Sequence, residues 1–215
     1  MGALYVGQST CFFISSIRIP VAVTSILLYL YPVFVTILAW MFLRERLSRL
    51  KLAALALALG GCVLTLGAPQ VGGDWLGIGL GIAAAVLYSI YIVLGARFQA
   101  GIPSAVAAFY VMASAGAIFV TIGLATGQLN LQIEREAYAA IVGLALVCTV
   151  VALYLFLVGV KRIGPSQASI VSTVEPVGTA VLGAVLLGES LGGLQVAGGA
   201  LVLLAVLLLS ARRDG

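Results

Sequence analysis

Residues 18–50 read RIPVAVTSILLYLYPVFVTILAWMFLRERLSRL, and residues 162–194 read RIGPSQASIVSTVEPVGTAVLGAVLLGESLGGL. The two stretches align without a gap at an offset of 144 residues. Arg18 falls on Arg162, Pro32 on Pro176 and Glu45 on Glu189. Extended to 18–67 and 162–211, the register holds 16 identities in 50 positions. Many are Leu or Ala, which match by chance in apolar helices. The Arg, Pro and Glu matches carry the information, because those residue types are rare in this chain. An internal repeat is therefore expected.

Composition says what kind of repeat it is. The chain has 215 residues, of which 63% are hydrophobic and 8% charged, with a mean hydropathy of +1.23. A soluble domain is about a quarter charged, so the bilayer is the expected solvent. Breakers and charges cut the chain into eight candidate spans: 1–17, 21–43, about 50–67, 75–96, 104–126, 137–160, 166–187 and 194–211. Periodicity cannot separate helix from strand in such apolar runs, but length can. Membrane strands need only about 10 residues and alternate in polarity. The expectation is an all-α membrane protein, a polytopic bundle of about eight transmembrane helices.

Charge sets the orientation. With the loop 44–51 inside, nine of the eleven basic residues fall inside, and only Arg18 and Arg135 fall outside. By the positive-inside rule the C-terminus is cytoplasmic, as is the Met1 side of the first helix. The same alternation puts the loop's mate, 188–195, outside. The repeats are thus inverted in the membrane, a transporter arrangement that places the substrate site near the midplane between them. The sixth helix starts near Ala137, so its mate would start at position −7, several residues before Met1. The helices at 75–96 and 104–126 have no mates within the chain. The expectation is an inverted five-plus-five repeat lacking its first two helices. Residues 1–67 would form an incomplete first unit, from the end of its third helix to its fifth, and 74–211 a complete second unit.

At these residues the chain resembles a family. LLYLYPVFVTILAWMFLRERLSRLKLAALALALGGCVLTLG and EPVGTAVLGAVLLGESLGGLQVAGGALVLLAVLLL are similar to the fourth–fifth and ninth–tenth helix pairs of EamA-type proteins of the drug/metabolite transporter superfamily. VLYSIYIVLGARF is similar to that family's sixth helix, and YLFLVGVKRIGPSQAS to the end of its eighth. The resemblance implies a five-plus-five bundle around a central cavity, with both termini cytoplasmic. It also implies movement of small metabolites such as amino acids, amines or drugs, often outward.

The segment 171–181, VSTVEPVGTAV, holds the leading functional candidate. Glu175 lies near the middle of its span, where a charge costs a few kcal/mol or more. Ser172, Glu175 and Thr179 fall at helical spacing with Ala168 and Gly183, a small polar stripe suited to a cavity or a neighbouring helix. The alternative is that Glu175 hydrogen-bonds a carbonyl freed by Pro176. Pro32 and Pro176 interrupt matching helices in the two halves, which points to a binding site or to a packing kink. Tyr31, the mate of Glu175, should face the same cavity. Tyr88 and Tyr91 share a face, as do Gln8, Cys11 and Ser15, and Tyr154 sits within the sixth span; each could line a cavity or pack. Glu175, Tyr31, Ser172, Thr179, Tyr88, Tyr91, Gln8 and Tyr154 are the candidates for a substrate or proton pathway.

Other features are read as structural. Glu45 and Glu189, at helix ends, suit a solvated network or cap, with Arg44, Arg46 and Arg49 in reach of Glu45. Gly77-x-x-x-Gly81 permits close helix approach, and Trp40 and Trp75 suit interface anchors. Cys11, Cys62 and Cys148 lie in apolar segments without a CxxC pair, so no disulfide or metal site is implied. The chain has no histidine, the usual general base and commonest metal ligand. No catalytic residues and no cofactor are expected. The net charge of +4 reflects topology rather than nucleic-acid binding, and the N-terminus lacks the basic region of a cleaved signal peptide. The function expected is a secondary transporter of a small organic metabolite or drug-like solute across a bacterial inner membrane, coupled to ions or protons or working by exchange. Its partners would be the bilayer and a small-molecule substrate, with a homodimer as a further option. The alternative is a transport-incompetent truncated chain, or a subunit whose bundle another chain completes.

Overall fold

The computed structural model describes residues 1–66, 74–99, 101–127, 129, 134–188 and 190–211; at 135, 136 and 187 the description is of backbone alone. Among the described residues every regular element is helical. The elements are α1 (Gly2–Arg18), α2 (Val21–Leu28), α3 (Tyr31–Leu43), α4 (Arg49–Leu66), α5 (Trp75–Phe98), α6 (Ser104–Ala125) and α7 (Arg135–Gly143). A π-helical stretch (Leu144–Val151) joins α7 to α8 (Ala152–Ile163). Then follow α9 (Pro165–Val171), a 3₁₀ turn (Ser172–Val174), α10 (Glu175–Leu187) and α11 (Gly193–Ser210).

Among the described residues, seven stretches are long and apolar enough to cross a membrane: Val21–Leu43, Arg49–Leu66, Trp75–Phe98, Ser104–Ala125, Ala137–Ile163, Pro165–Leu186 and Gly193–Ser210. Helix α1, at 17 residues, reaches about 25 Å at 1.5 Å per residue, one residue shorter than α4 and α11. It packs along α5 and α6. The outer surface is apolar: Ile17 is 85% exposed, and Val185 and Leu186 are open as well. In water that surface would aggregate; in lipid it is the expected exterior. Trp40 and Trp75 are exposed near helix ends.

The helix bounds recur at the offset of 144. Tyr31–Leu43 maps onto Glu175–Leu187, and Arg49–Leu66 onto Gly193–Ser210. Helices α3 and α10 both end in a left-handed residue, Arg44 (φ 55°) and Gly188 (φ 70°). Their N–H groups close back on Ala39 and Gly183, which are also mates. Proline explains the other ends. Pro32 and Pro176 lie in the first turns of α3 and α10, where an N–H has no helical acceptor anyway. The chain therefore breaks just ahead of each proline, at 29–30 in one half and 172–174 in the other.

Close packing joins the halves. Helix α4 runs against α11, with Ala54, Ala58, Val202 and Ala205 fully buried at the seam. A Cβ on Gly198 would sit 2.6 Å from the Gly61 carbonyl oxygen and 2.6 Å from the Thr65 nitrogen. Backbone thus fills the space a side chain would need. Gly77 and Gly81 likewise hold α5 against Ile19 and Leu27. There Ser15 Oγ donates to the Gly77 carbonyl at 2.8 Å.

The loop after α3 differs from the solvated arginine network expected for Glu45. Its carboxylate turns inward, with Oε1 3.3 Å from Lys51 Nζ, while Ser166 Oγ donates to Oε2. Because α4 begins at Arg49, Lys51 falls on its inner face and is only 5% exposed. Glu45 is its ion-pair partner and ties the first half to the start of α9. Glu189, Arg212 and Arg213 lie outside the described residues, as does the Arg135 side chain.

Asp74 caps α5. Its Oδ1 accepts from Leu76 N (3.0 Å) and Gly77 N (3.1 Å), and Oδ2 pairs with Arg18 Nη1 at 3.3 Å. The Gly77 N–H, with Arg18 and Leu76, holds this carboxyl below its usual value. A depressed native pKa stabilises the fold above the unfolded value of about 3.9, and the gain is lost as pH falls through the native value. Asp74→Ala is therefore expected to lower the thermal midpoint at pH 7, and the gap to wild type is expected to narrow as the pH is taken below about 4. Thermal scans of both proteins across pH check this.

Candidate functional site

The two helix breaks open onto one cavity of about 450 Å³. From the first half come Tyr5 and Gln8 of α1, Leu28 and Tyr29 at the break, and Tyr31, the first residue of α3. From the second half come Cys148 and Thr149 of the π stretch, Ala152, Leu153 and Phe156 of α8, then Ser172 and Glu175. Tyr88 of α5 completes the wall. Four pairs of these residues stand 144 apart: Tyr5 and Thr149, Gln8 and Ala152, Leu28 and Ser172, Tyr31 and Glu175. The cavity is thus lined by equivalent positions of both halves.

Backbone groups at the breaks find new partners. Tyr31 Oη donates to the Ser169 carbonyl at 3.2 Å, which ties α3 to α9. Ser89 Oγ of α5 donates to the Tyr31 carbonyl at 3.1 Å. Cys62 Sγ of α4 approaches the Thr173 carbonyl at 3.9 Å. Such satisfaction is required wherever a helix is interrupted at membrane depth. Glu175 opens α10, where the positive end of the helix dipole favours a carboxylate. It is exposed to the cavity, and its side chain interacts with that of Tyr29.

The rings form a connected wall. Tyr31 and Tyr88 have centroids 4.8 Å apart, Tyr88 and Phe156 stack at 6.3 Å, and Tyr29 lies 6.4 Å from Tyr31. Tyr91 stands behind this wall, stacked on Tyr88 at 6.1 Å and edge-on to Tyr5. Its hydroxyl is buried without a hydrogen-bond partner among the described residues. A larger hollow of about 860 Å³ runs from Trp40 to Leu47; it is a broad surface groove at the end of α3, away from both breaks.

Of the sequence candidates, Glu175, Tyr31, Ser172, Tyr88 and Gln8 line the cavity. Tyr91 packs in the second layer. Thr179 and Tyr154 do not line it. Thr179 is exposed, with its hydroxyl on the Glu175 carbonyl. The 3₁₀ turn winds at 3.0 residues per turn rather than 3.6, so three residues shift the helical phase by about 60°. A stripe drawn at constant spacing through 168–183 therefore leaves the cavity after Glu175. Tyr154 is 40% exposed; on α8 it lies two residues, about 200°, from both Ala152 and Phe156, which line the cavity. Thr149 shows the i→i+5 winding of the π stretch, with Oγ1 3.5 Å from the Leu144 carbonyl. Tyr5, Tyr29, Cys148, Thr149 and Phe156 were not among the candidates. The repeat offset from Tyr5 and Gln8 is the signal that could have found Thr149 and Ala152.

Among the described residues, no group of three His, Cys, Asp or Glu could hold a metal ion. Among the described residues the lining offers one carboxylate, hydroxyl and amide donors, and aromatic faces.

Known proteins place this geometry. The EamA-like transporter family matches residues 1–67 and 75–211. An "Uncharacterized transporter YcbK" of Bacillus subtilis (strain 168) is 30% identical, covering 87% of this chain and 65% of the relative. An "Uncharacterized transporter" of Archaeoglobus fulgidus is also 30% identical, covering 87% and 66%. A third, "Uncharacterized transporter sll1319" of Synechocystis sp., is 29% identical, covering 92% and 61%. The chain thus spans a little under two thirds of the length of these relatives. One solved crystal structure superposes with a TM-score of 0.82 at 23% identity, covering 96% of this chain and 72% of that one; at that identity it speaks for the fold alone.

Proposed function

This chain belongs to the EamA-like transporter family, a family of membrane transporters rather than enzymes, and from that premise we propose that it carries a small organic solute across a bacterial inner membrane by alternating access. The observation that carries this reading is the cavity of about 450 Å³ between the two interrupted helices, lined by four pairs of residues 144 apart. A site where two inverted halves meet is exposed to either side by rocking one half against the other. Residues 1–67 and 74–211 are the two halves of that reading. The loop 44–51 and the C-terminus face the cytoplasm, as the distribution of basic residues favours. Glu175 is the group through which a proton, an ion or a charged solute is coupled to the cycle.

The test is counterflow. Proteoliposomes holding the purified chain are preloaded with single solutes from a panel of amines, amino acids and aromatic drugs. Labelled solute of the same kind is then supplied outside. Accumulation of at least one solute above protein-free vesicles is expected; its absence for the whole panel, with and without a pH gradient, contradicts the proposal.

A further inference from the structure

The two ends of the molecule are closed unequally, and we propose that Glu45, Lys51 and Ser166 form a one-sided latch. It holds the cavity shut toward the loop 44–51 and must release for the opposite state to form. The inference rests on the transporter reading above and assigns the residues that set its resting state. Helices α3 and α9, one from each half, both run between the breaks and the 44–51 end. They pack along each other, and Tyr31 Oη on the Ser169 carbonyl fastens their inner ends. At the offset of 144 their mates are α10 and α2. Among the described residues no comparable packing joins that pair. Ser169 is fully buried, whereas its mate Ser25 is half-buried. Inverted halves exchange their arrangements in the opposite state. Helices α2 and α10 then close on each other, and α3 and α9 separate.

The latch sits where that separation begins. Glu45, just past the end of α3, accepts at Oε2 from Ser166 Oγ in the first turn of α9. Its Oε1 lies 3.3 Å from Lys51 Nζ, which also donates to the Arg46 carbonyl at 3.3 Å. A Cβ on Gly164 would lie 2.7 Å from the same Oε1, so the carboxylate rests against bare backbone at the start of α9. Ser166 is fully buried and Lys51 is 5% exposed. Removing either charge from so sheltered a pair leaves the other buried and uncompensated. Separating α3 from α9 takes the carboxylate off Ser166 and lets water reach the pair.

The sequence does not repeat the latch at the other end. At the offset of 144, Lys51 falls on Gln195, Ser166 on Ala22 and Gly164 on Pro20. Gln195 Oε1 instead accepts from the Gly192 N–H at 2.9 Å, a contact local to its own segment. The equivalents of the three groups around Glu45 thus supply no cation, no hydroxyl and no glycine. A second ion pair, Arg18–Asp74, joins α1 to α5, but its side chains are 43% and 35% exposed, and pairs so placed contribute little. The two closed forms therefore differ in free energy, and the form shut at the 44–51 end is favoured.

The mates Ser25 and Ser169 report the two ends. Ser25→Cys and Ser169→Cys are made singly in the full chain with Cys11, Cys62 and Cys148 replaced by serine. Each is alkylated in lipid nanodiscs with a membrane-impermeant maleimide. With the latch intact, Ser25→Cys is expected to react about tenfold or more faster than Ser169→Cys. Lys51→Gln, which installs the side chain its mate carries, is expected to speed Ser169→Cys and slow Ser25→Cys, moving their ratio by about tenfold or more. Glu45→Gln combined with Lys51→Gln leaves no unpaired charge and is expected to move the ratio the same way, so the result does not hang on the stability of the single variant. Arg18→Gln, which breaks the exposed pair, is expected to leave the ratio within about twofold. A ratio unmoved in both latch variants, or moved equally by Arg18→Gln, overturns the latch. So does a rise at Ser169→Cys with no fall at Ser25→Cys, which is local loosening rather than exchange of states. Counterflow separates this failure from failure of the parent reading. Solute accumulation by wild type with an unmoved ratio leaves the transporter reading standing without the latch. A moved ratio in a chain that carries no solute of the panel leaves the latch and removes the transport.

Discussion

Gly198→Ala is expected to destabilise the protein, although alanine is the better helix former by about 1 kcal/mol. The added methyl would lie 2.6 Å from the Gly61 carbonyl oxygen and 2.6 Å from the Thr65 nitrogen. Both are backbone atoms of α4, so no side chain can swing aside, and α4 and α11 must separate. Overpacking of this kind costs about 1–3 kcal/mol. The seam it opens also contains Ala58 and Val202, both fully buried. Gly60 is the control, since a Cβ there meets nothing within 4 Å. Gly60→Ala should match or exceed wild type in thermal midpoint, while Gly198→Ala falls below it. Circular dichroism melts in detergent check the pair. If the two variants shift alike, the α4–α11 seam is not closely packed at Gly198.

The helices were legible because their ends are chemically marked. Pro32 and Pro176 fix where α3 and α10 begin, Gly188 ends α10 in the left-handed region, and Asp74 caps α5. The offset of 144 then carried bounds from one half to the other, so Tyr31 and Glu175 could be expected on one cavity. What the sequence hid was winding. LALVCTVV, residues 144–151, contains no proline, glycine or charge, yet it is π-helical. Nothing in an evenly apolar run signals i→i+5 bonding, so the phase of α8 could not be read from the residues before it. Tyr154 and Phe156, about 200° apart on α8, could not be told apart as lining and outer residues, and it is Phe156 that lines the cavity. The 3₁₀ turn at 172–174 hid the phase at Thr179. Tyr29 escaped notice because its role arises from the break itself, which brings it to Glu175 across two segments far apart in the chain. The fate of Lys51 depended on where α4 starts, a boundary that the run RERLSRLK leaves ambiguous.

Glu175→Gln is expected to abolish productive transport while leaving the fold intact. Gln keeps the size and hydrogen-bonding ends of the side chain, so the start of α10 and the neighbourhood of Tyr29 are preserved. What disappears is, among the described residues, the one negative charge lining the cavity. A charge-assisted interaction is worth about 1.5–3 kcal/mol, which is about 10- to 100-fold in affinity. If the charge also couples solute movement to an ion or proton, its loss uncouples the cycle as well as weakening binding. Tyr31→Phe separates charge from architecture: it removes the hydroxyl on the Ser169 carbonyl but leaves the carboxylate, and it should slow transport without ending it. The decisive measurement is counterflow of the panel solutes into proteoliposomes holding equal amounts of wild type or Glu175→Gln. The account predicts accumulation by wild type and uptake at the protein-free level for Glu175→Gln. Equal uptake by the two proteins would contradict it.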